Sequence, residues 1–515
     1  MNQIPIYLTG GLYFLVSSAL FLYGLHCLAM LTLGWFMRKS EFCPQTRHWK
    51  SLPPVTVQIP IYNEMYVAER IINAVCSFDY PAELLHIQVL DDSTDETVDI
   101  ASQAVHKQGL TGVNIEYIHR TDRKGYKAGA LAYGTESAQG DFIAIFDADF
   151  VPPASYLREM IPYFQPDVAF VQARWGHINP NQSLLTRMQA VLLDAHFTLE
   201  QMARSRLGLG FNFNGTAGVW RKAALESAGG WQADTLTEDI DLSYRAFLSG
   251  WRAVYVNDIV VPAELPVSVQ GFRRQQYRWA RGSLECAFKL LPQIWRSPQS
   301  WPYKLAATFH LTGYSIHFYL LGLILLYPLL LHFEADAPGL IKLFNIAYVF
   351  AFTAIFPPIF FTLGQIRSGQ KVQGQFWRIL FITSAGAGLM VNTLSALIEI
   401  MLKRHVPFER TAKFGFGDQE AKSHPKKEWL KQNYHLTIDR MTFWELSLAM
   451  ISYSTAVYAY LLNHWGITFY ASVFGTGLFY LATLTIWQSW QLGRAKRNNK
   501  AAAQTKTVTT DIASD

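Results

Sequence analysis

Long apolar runs alternate along this chain with stretches of soluble character. From Leu8 to Met37 there is no Asp, Glu, Lys or Arg, and the run exceeds the ~20 residues that cross a bilayer as a helix. A cleavable signal would open with basic residues and be short, whereas here the first positive charges, Arg38 and Lys39, follow the run. Those charges place the next segment in the cytoplasm. Further apolar runs occupy Leu305 to Phe333, Leu343 to Gly364, Ile379 to Leu402, Met441 to Asn463 and Gly466 to Trp490. The tail after Gly493 is rich in Ala, Lys and Thr and reads as disordered.

Charge decides the number of crossings expected. If all six runs crossed, Lys403 to Arg440, with nine Lys and Arg residues, would lie outside together with Arg494, Lys496 and Arg497. Positive segments favour the cytoplasmic side, so this arrangement is disfavoured twice. Ile379 to Leu402 is the exception among the runs, because Ser384, Gly388, Asn392, Ser395 and Glu399 share one helical face. It is expected at the membrane interface. Five crossings then put the amino terminus outside and the soluble segment, the basic segment and the tail inside.

The soluble segment alternates in another way. Val55 to Ile61, Ile87 to Leu90, Phe142 to Phe146 and Val168 to Gln172 read as strands, separated by helical spacings such as Val67, Ile71, Ala74, Val75 and Phe78. This α/β alternation predicts a mostly parallel sheet covered on both faces, with ligands bound beyond the carboxyl ends of its strands. Asp91 and Asp92 follow one strand and Asp147 and Asp149 another. No glycine-rich phosphate loop follows any strand.

Composition agrees with a membrane protein. Of 515 residues, 50% are hydrophobic and only 16% charged, against roughly 25% in soluble domains. The net charge of +5, from 44 Lys and Arg against 39 Asp and Glu, is too small and dispersed for a nucleic-acid binder. The four cysteines, Cys27, Cys43, Cys76 and Cys286, lie far apart and read as free thiols in a reducing compartment.

Six segments could carry chemistry. Phe146 to Phe150 (FDADF) sets two carboxylates two residues apart after a buried strand, suited to Mg²⁺ or Mn²⁺ sharing its shell with substrate phosphate; the same acids suit a turn before Pro152 and Pro153. IPIYNE and LDDSTDET end two strands with Tyr62, able to stack on a flat heterocycle, and Asp92, able to accept from a ring N–H; helix capping explains the second segment equally well. Arg120 to Leu131 gathers Arg120, Arg123, Lys124 and Lys127 around Gly125 before a helix, suited to a diphosphate or to a solvated loop. Glu238, Asp239 and Asp241 open another helix, as caps or as a general base. Gln275, Arg278 and Trp279 stand shortly before the membrane, where Arg and Trp also anchor at the interface.

Taken in order, Tyr62, Asp92, Asp147-x-Asp149, Thr237-Glu238-Asp239 and Gln275-x-x-Arg278-Trp279, followed by membrane helices, resemble a processive family 2 glycosyltransferase of the GT-A fold. VQIPIYNE, KGYKAGAL, AIFDADF, FNGTAGVWR and AGGW are most similar to the cellulose synthase-like mannan and glucan synthases, closely over about residues 50 to 290. The resemblance implies a Rossmann-like mixed α/β sheet in a cytoplasmic domain, joined to an α-helical transmembrane bundle. It implies donor binding by Pro60, Tyr62, Glu64, Asp92, Lys124, Lys127, Asp147 and Arg278, with Mg²⁺ or Mn²⁺ held by Asp147 and Asp149. Asp239 would be the catalytic base. Asn214, Gly215, Thr216, Glu238, Gln275 and Trp279 would hold the acceptor. Pro407 to Gly415 resembles the cellulose synthase gating loop through Phe408, Thr411 and Lys413, with Arg410 where that family carries valine.

The division expected is a transmembrane helix at 1–37, the glycosyltransferase domain at 38–290 and an interface helix at 291–304. Two transmembrane helices follow at 305–364, then an amphipathic interface helix at 376–402, the gating-type loop at 403–440, two more crossings at 441–490 and a disordered tail at 491–515. The reaction implied is inverting transfer of a hexose from UDP-glucose or GDP-mannose to a β-glycan that passes through the membrane. The alternative is a single transfer to a lipid acceptor such as ceramide or diacylglycerol. The location expected is a bacterial inner (plasma) membrane, with the catalytic domain cytoplasmic.

Overall fold

The computed structural model describes residues 4–36, 46–334, 352–373, 376–404, 411, 413–416 and 439–512, with the backbone alone over 495–512. Seven strands form one sheet: β1 (Val55–Ile61), β2 (Leu85–Asp91), β3 (Ile115–His119), β4 (Phe142–Ile145), β5 (Val168–His177), β6 (Gly218–Arg221) and β7 (Arg252–Ala263). Their order is β3-β2-β1-β4-β6-β5-β7. β1 to β4 run parallel, β6 is antiparallel to β4 and β5, and β7 returns parallel to β5. The mixed sheet agrees with the sequence reading, which located β1, β2, β4 and the first half of β5.

Helices cover both faces. Ala68–Cys76 turns Ala68, Ile71, Ile72 and Val75 inward, a three-and-four spacing that forms one apolar stripe. With Thr97–Gly109 and Tyr156–Met160 it closes the core on one side. Tyr126–Ser137, Lys222–Ser227, Glu238–Leu248 and Val269–Arg296 close the other. In β1 and β2 Val55 stands opposite Leu85 and Ile61 opposite Asp91. That register brings the carboxyl ends of the two strands, and the residues after them, to one edge of the sheet.

Val269–Arg296 links the sheet domain to the apolar helices. Ser268 starts it by accepting from the Gly271 N–H at 3.1 Å. One side of this helix carries Gln275, Arg278 and Trp279. The other side meets apolar helices: Arg273 pairs with Glu445, Tyr277 donates to Glu399, and Arg281 bonds the Arg404 carbonyl at 2.7 Å. The segment 291–304 is therefore not the separate interface helix expected. It is divided between the end of this helix and the start of Trp301–Leu311, because Ser297 to Ser300 interrupt the helical run.

Among the described residues, four helices are long and apolar enough to cross a membrane: Ile4–Phe36, Gly313–Phe333, Trp377–Met401 and Trp465–Arg494. The polar face that placed 376–402 at the interface points into the protein. Ser384 donates to the Val473 carbonyl at 2.6 Å, Asn392 to the Arg273 carbonyl at 3.1 Å, and Glu399 accepts from Tyr277. Those residues are satisfied by neighbouring helices and carry no argument for headgroup contact. Arg440–Leu461 forms a helix as expected, less apolar than the four and burying Glu445. The final helix continues to Ile512 where a disordered tail was expected. An Ala- and Lys-rich stretch joined to an existing helix propagates it without a new nucleation step.

Candidate functional site

Residues from five strand ends and several helices, together with Thr411 and Lys413, line a single cavity of about 190 Å³. β1 supplies Pro60 and then Tyr62 and Glu64, β2 supplies Asp92, and β4 leads to Asp147 and Asp149. Trp175 and His177 come from β5, and Glu264 follows β7. Glu238 and Asp239 enter from the start of their helix, and Gln275, Arg278 and Trp279 from the linking helix. Asn214, Gly215, Thr411 and Lys413 complete the wall.

At the outer end, Arg120 grips both oxygens of Asp92, Nε to Oδ1 at 2.7 Å and Nη2 to Oδ2 at 2.6 Å. The Arg123 guanidinium lies 3.3 Å from the Tyr62 ring centroid, a close cation–π contact. Tyr62 therefore presents a ring already covered on one face by a planar cation. Lys124, expected among the donor-binding residues, is exposed and outside the cavity. Its carbonyl accepts from Arg120. The left-handed backbone at Arg123 (φ 41°) and Gly125 (φ 73°) turns the bend so that Lys127, not Lys124, enters the site.

Both acids of FDADF are held by lysines. Lys127 Nζ donates to Asp147 Oδ1 at 2.5 Å and to the Gly215 carbonyl at 2.8 Å. Lys413 Nζ donates to Asp149 Oδ2 at 2.6 Å and to the Glu264 carbonyl at 2.8 Å. Two carboxylates that each already bind an ammonium group form a cation-binding wall. Among the described residues no three His, Cys, Asp or Glu side chains cluster to hold a metal. The wall suits Mg²⁺ or Mn²⁺, which take one or two carboxylates and complete their shell with phosphate and water.

The inner end holds the base candidate. Asp239 Oδ1 accepts from the Ile240 N–H at 2.8 Å, and its backbone carbonyl accepts from Ser243 at 2.6 Å. Burial and then the neighbouring Glu238 carboxylate push the Asp239 carboxyl up to about 8. Burial also raises Glu238, opposed by Lys127. Gly215, at φ 76°, is packed so close that a Cβ there would stand 2.9 Å from Asp239 Oδ2. Thr216, expected at the acceptor, is fully buried beneath the cavity, where its hydroxyl accepts from the Asp147 N–H at 2.8 Å. It positions Asp147 and has no place in the lining.

The other expected residues line the cavity: Pro60, Tyr62, Glu64, Asp92, Lys127, Asp147, Asp149, Asn214, Gly215, Glu238, Asp239, Gln275, Arg278, Trp279, Thr411 and Lys413. Arg278 donates to the Thr411 hydroxyl at 3.1 Å, tying the linking helix to the 411–416 segment. Phe408 lies outside the described residues. The sequence reading missed Trp175, His177 and Glu264. All three belong to strand ends it did not find, since it stopped β5 at Gln172 and did not identify β7. Trp175 stands 6.4 Å from Trp279 between ring centroids, inclined at 49°, so two indoles border the inner cavity.

Residues 53–282 match the family described as glycosyltransferase like family 2. Among curated proteins, glucomannan 4-beta-mannosyltransferase 1 of Oryza sativa subsp. japonica is 45% identical over 48% of this chain and 49% of its own length. Probable glucomannan 4-beta-mannosyltransferase 15 of Arabidopsis thaliana is 41% identical over 57% and 58% respectively. The chain thus spans about half the length of the curated relatives it matches. Among solved structures, a mannosyltransferase from Pyrobaculum calidifontis, in complex with GDP-Man and Mn2+, superposes with a TM-score of 0.52 at 18% identity. That alignment covers 77% of this chain and 100% of the other. At that identity the likeness concerns the fold alone. The sheet and the cavity at its strand ends agree with a GT-A fold, and residues 53–282 match a family 2 glycosyltransferase domain, in a chain similar to glucomannan 4-beta-mannosyltransferases.

Proposed function

We propose that the protein is an inverting membrane glycosyltransferase that transfers a hexose from a nucleotide sugar to the end of a β-glycan. One observation carries this reading: Asp239, the Asp147/Asp149 wall, Arg278 and Trp279 share one cavity, although the sequence separates them by up to 132 positions from Asp147 to Trp279 (279 − 147). Asp92 and Tyr62 would bind the nucleotide base, with Arg120 fixing the Asp92 carboxylate so that its outward lone pairs accept from a ring N–H. Asp147 and Asp149 would hold Mg²⁺ or Mn²⁺ when bound, a cation that draws charge from the departing diphosphate. Arg278 and Lys127 add fixed positive charge beside it.

Asp239 would accept the proton from the attacking acceptor hydroxyl. A carboxylate in this desolvated position is a stronger base than one in water, which is the consequence of its raised pKa. Attack opposite the leaving diphosphate inverts the anomeric carbon, so an α-linked donor gives a β-linked product. Trp279 and Trp175 offer flat apolar faces to the acceptor sugar. The curated relatives are named 4-beta-mannosyltransferases, which favours a mannosyl donor such as GDP-mannose and a β-1,4 product. Those relatives come from plants and lend no support to a bacterial inner membrane. The apolar helices beside the linking helix would take the product across the bilayer, with the sheet domain on the cytoplasmic side. Incubating purified protein with GDP-mannose or UDP-glucose and Mn²⁺, followed by linkage analysis, tests this proposal. A β-linked polymer supports it, and a product limited to a one-sugar lipid rejects the polymerase.

A further inference from the structure

Lys413 and its surroundings carry a consequence for the metal. Asp149 is 6% exposed and Lys413 8%, so their contact at 2.6 Å is a desolvated ion pair. Lys413 is also fastened from behind. The Glu264 carboxylate accepts from three successive N–H groups: Phe414 at 2.6 Å, Gly415 at 3.0 Å and Phe416 at 3.2 Å. Arg70 completes the seat by bonding the Phe416 carbonyl at 2.7 Å and the Asp149 carbonyl at 3.3 Å. Phe414 and Phe416 pack on Val267. A carboxylate receiving three backbone donors is a strong anchor, because charge-assisted hydrogen bonds are the stronger ones.

We propose that Lys413 and the divalent cation compete for Asp149, with Glu264 as the positioning residue that seats Lys413 in the competing place. The proposal rests on the reading of Asp149 as a metal ligand. Both cations need the same carboxylate, and two positive centres on one buried carboxylate repel strongly where water does not screen them. Metal binding therefore requires Lys413 to leave Asp149. A polyphosphate donor supplies the anionic charge to which both Lys413 and the metal can then turn. Before donor arrives, the lysine keeps the acid wall neutral, so metal and donor bind with positive coupling.

The test is Mn²⁺ binding to the full-length protein in detergent without nucleotide sugar, read from the free-ion signal by electron paramagnetic resonance. Lys413→Met is expected to tighten Mn²⁺ binding about tenfold or more, an amount equal to about 1.4 kcal/mol. Glu264→Gln is expected to tighten it in the wild-type background and to add nothing in Lys413→Met, the signature of action through Lys413. Unchanged or weaker Mn²⁺ binding in Lys413→Met overturns the competition. Tight binding that survives Asp149→Asn in the Lys413→Met background places the ion elsewhere, and so overturns the metal assignment itself. Thermal melting of each variant separates these outcomes from unfolding, and Glu264→Asp, which keeps the charge, is expected to keep part of the wild-type restraint.

Discussion

Asp239 and Glu238 stand side by side at the first turn of a helix, facing Lys127 across the cavity. Two adjacent buried carboxyls cannot both ionise freely, and Asp239 is the one pushed to about 8. A general base works when deprotonated, so kcat/KM, which reports the free enzyme, should rise with pH, reach half its maximum near 8 and level off above it. A profile already flat from pH 5 upward contradicts the assignment. Asp239→Asn should bind donor normally and lose roughly 10²- to 10⁴-fold in turnover, measured by donor titration beside initial rates. Gly215 is held at a positive φ with Asp239 against it. Gly215→Ala should cost roughly 1–2 kcal/mol from backbone strain and displace Asp239, visible as a lower melting temperature with a larger loss of kcat than of donor affinity. Much of this detail was legible beforehand: FDADF, TED and QQYRW announced their acids, Gln, Arg and Trp. The neutralising lysines and the Arg120 grip on Asp92 were not, because they depend on side chains meeting across loops with no sequence spacing in common.

Elements were legible in proportion to how regular their pattern is. β4 is a continuous buried apolar run, and β1 and β2 set Val55, Val57, Ile59 and Ile61, and Leu85, Ile87 and Val89, at alternate positions, so the sequence marks all three plainly. β3 is half-exposed, β6 has four residues, and β7 mixes Asn257 and Asp258 into its middle, so none stands out. Missing β7 removed Glu264 from view, and with it the anchor of the 413–416 segment. The polar face of 376–401 shows a different limit, since periodicity finds a face without saying what covers it. Here helix packing covers it, at close range: a Cβ on Gly477 would fall 1.9 Å from the Ser384 carbonyl oxygen. Gly477→Ala should force these helices apart and cost roughly 1–3 kcal/mol. Gly386→Ala, with open space around it, should be neutral or stabilise by less than about 1 kcal/mol. Parallel melts of the two variants in detergent check this, and equal stability would contradict the packing.

For the whole molecule, the linking helix Val269–Arg296 joins chemistry and membrane in one rigid piece. Its cavity side presents Gln275, Arg278 and Trp279, and its opposite side is fixed to apolar helices through Arg273, Tyr277 and Arg281. Under the proposed function, an acceptor sugar on Trp279 would stand at the boundary between the sheet domain and the apolar helices. The division into a soluble α/β unit and apolar helices was visible in the sequence, because composition changes sharply at Arg38 and Lys304. The final helix was not, since its last residues follow the helix they extend and not their own composition. The most direct test of the central claim is a radiolabelled transfer assay on purified full-length protein with GDP-mannose and Mn²⁺, comparing wild type with Asp239→Asn. The account predicts a β-linked polymer from the wild type and none from the variant; equal product from both would contradict it.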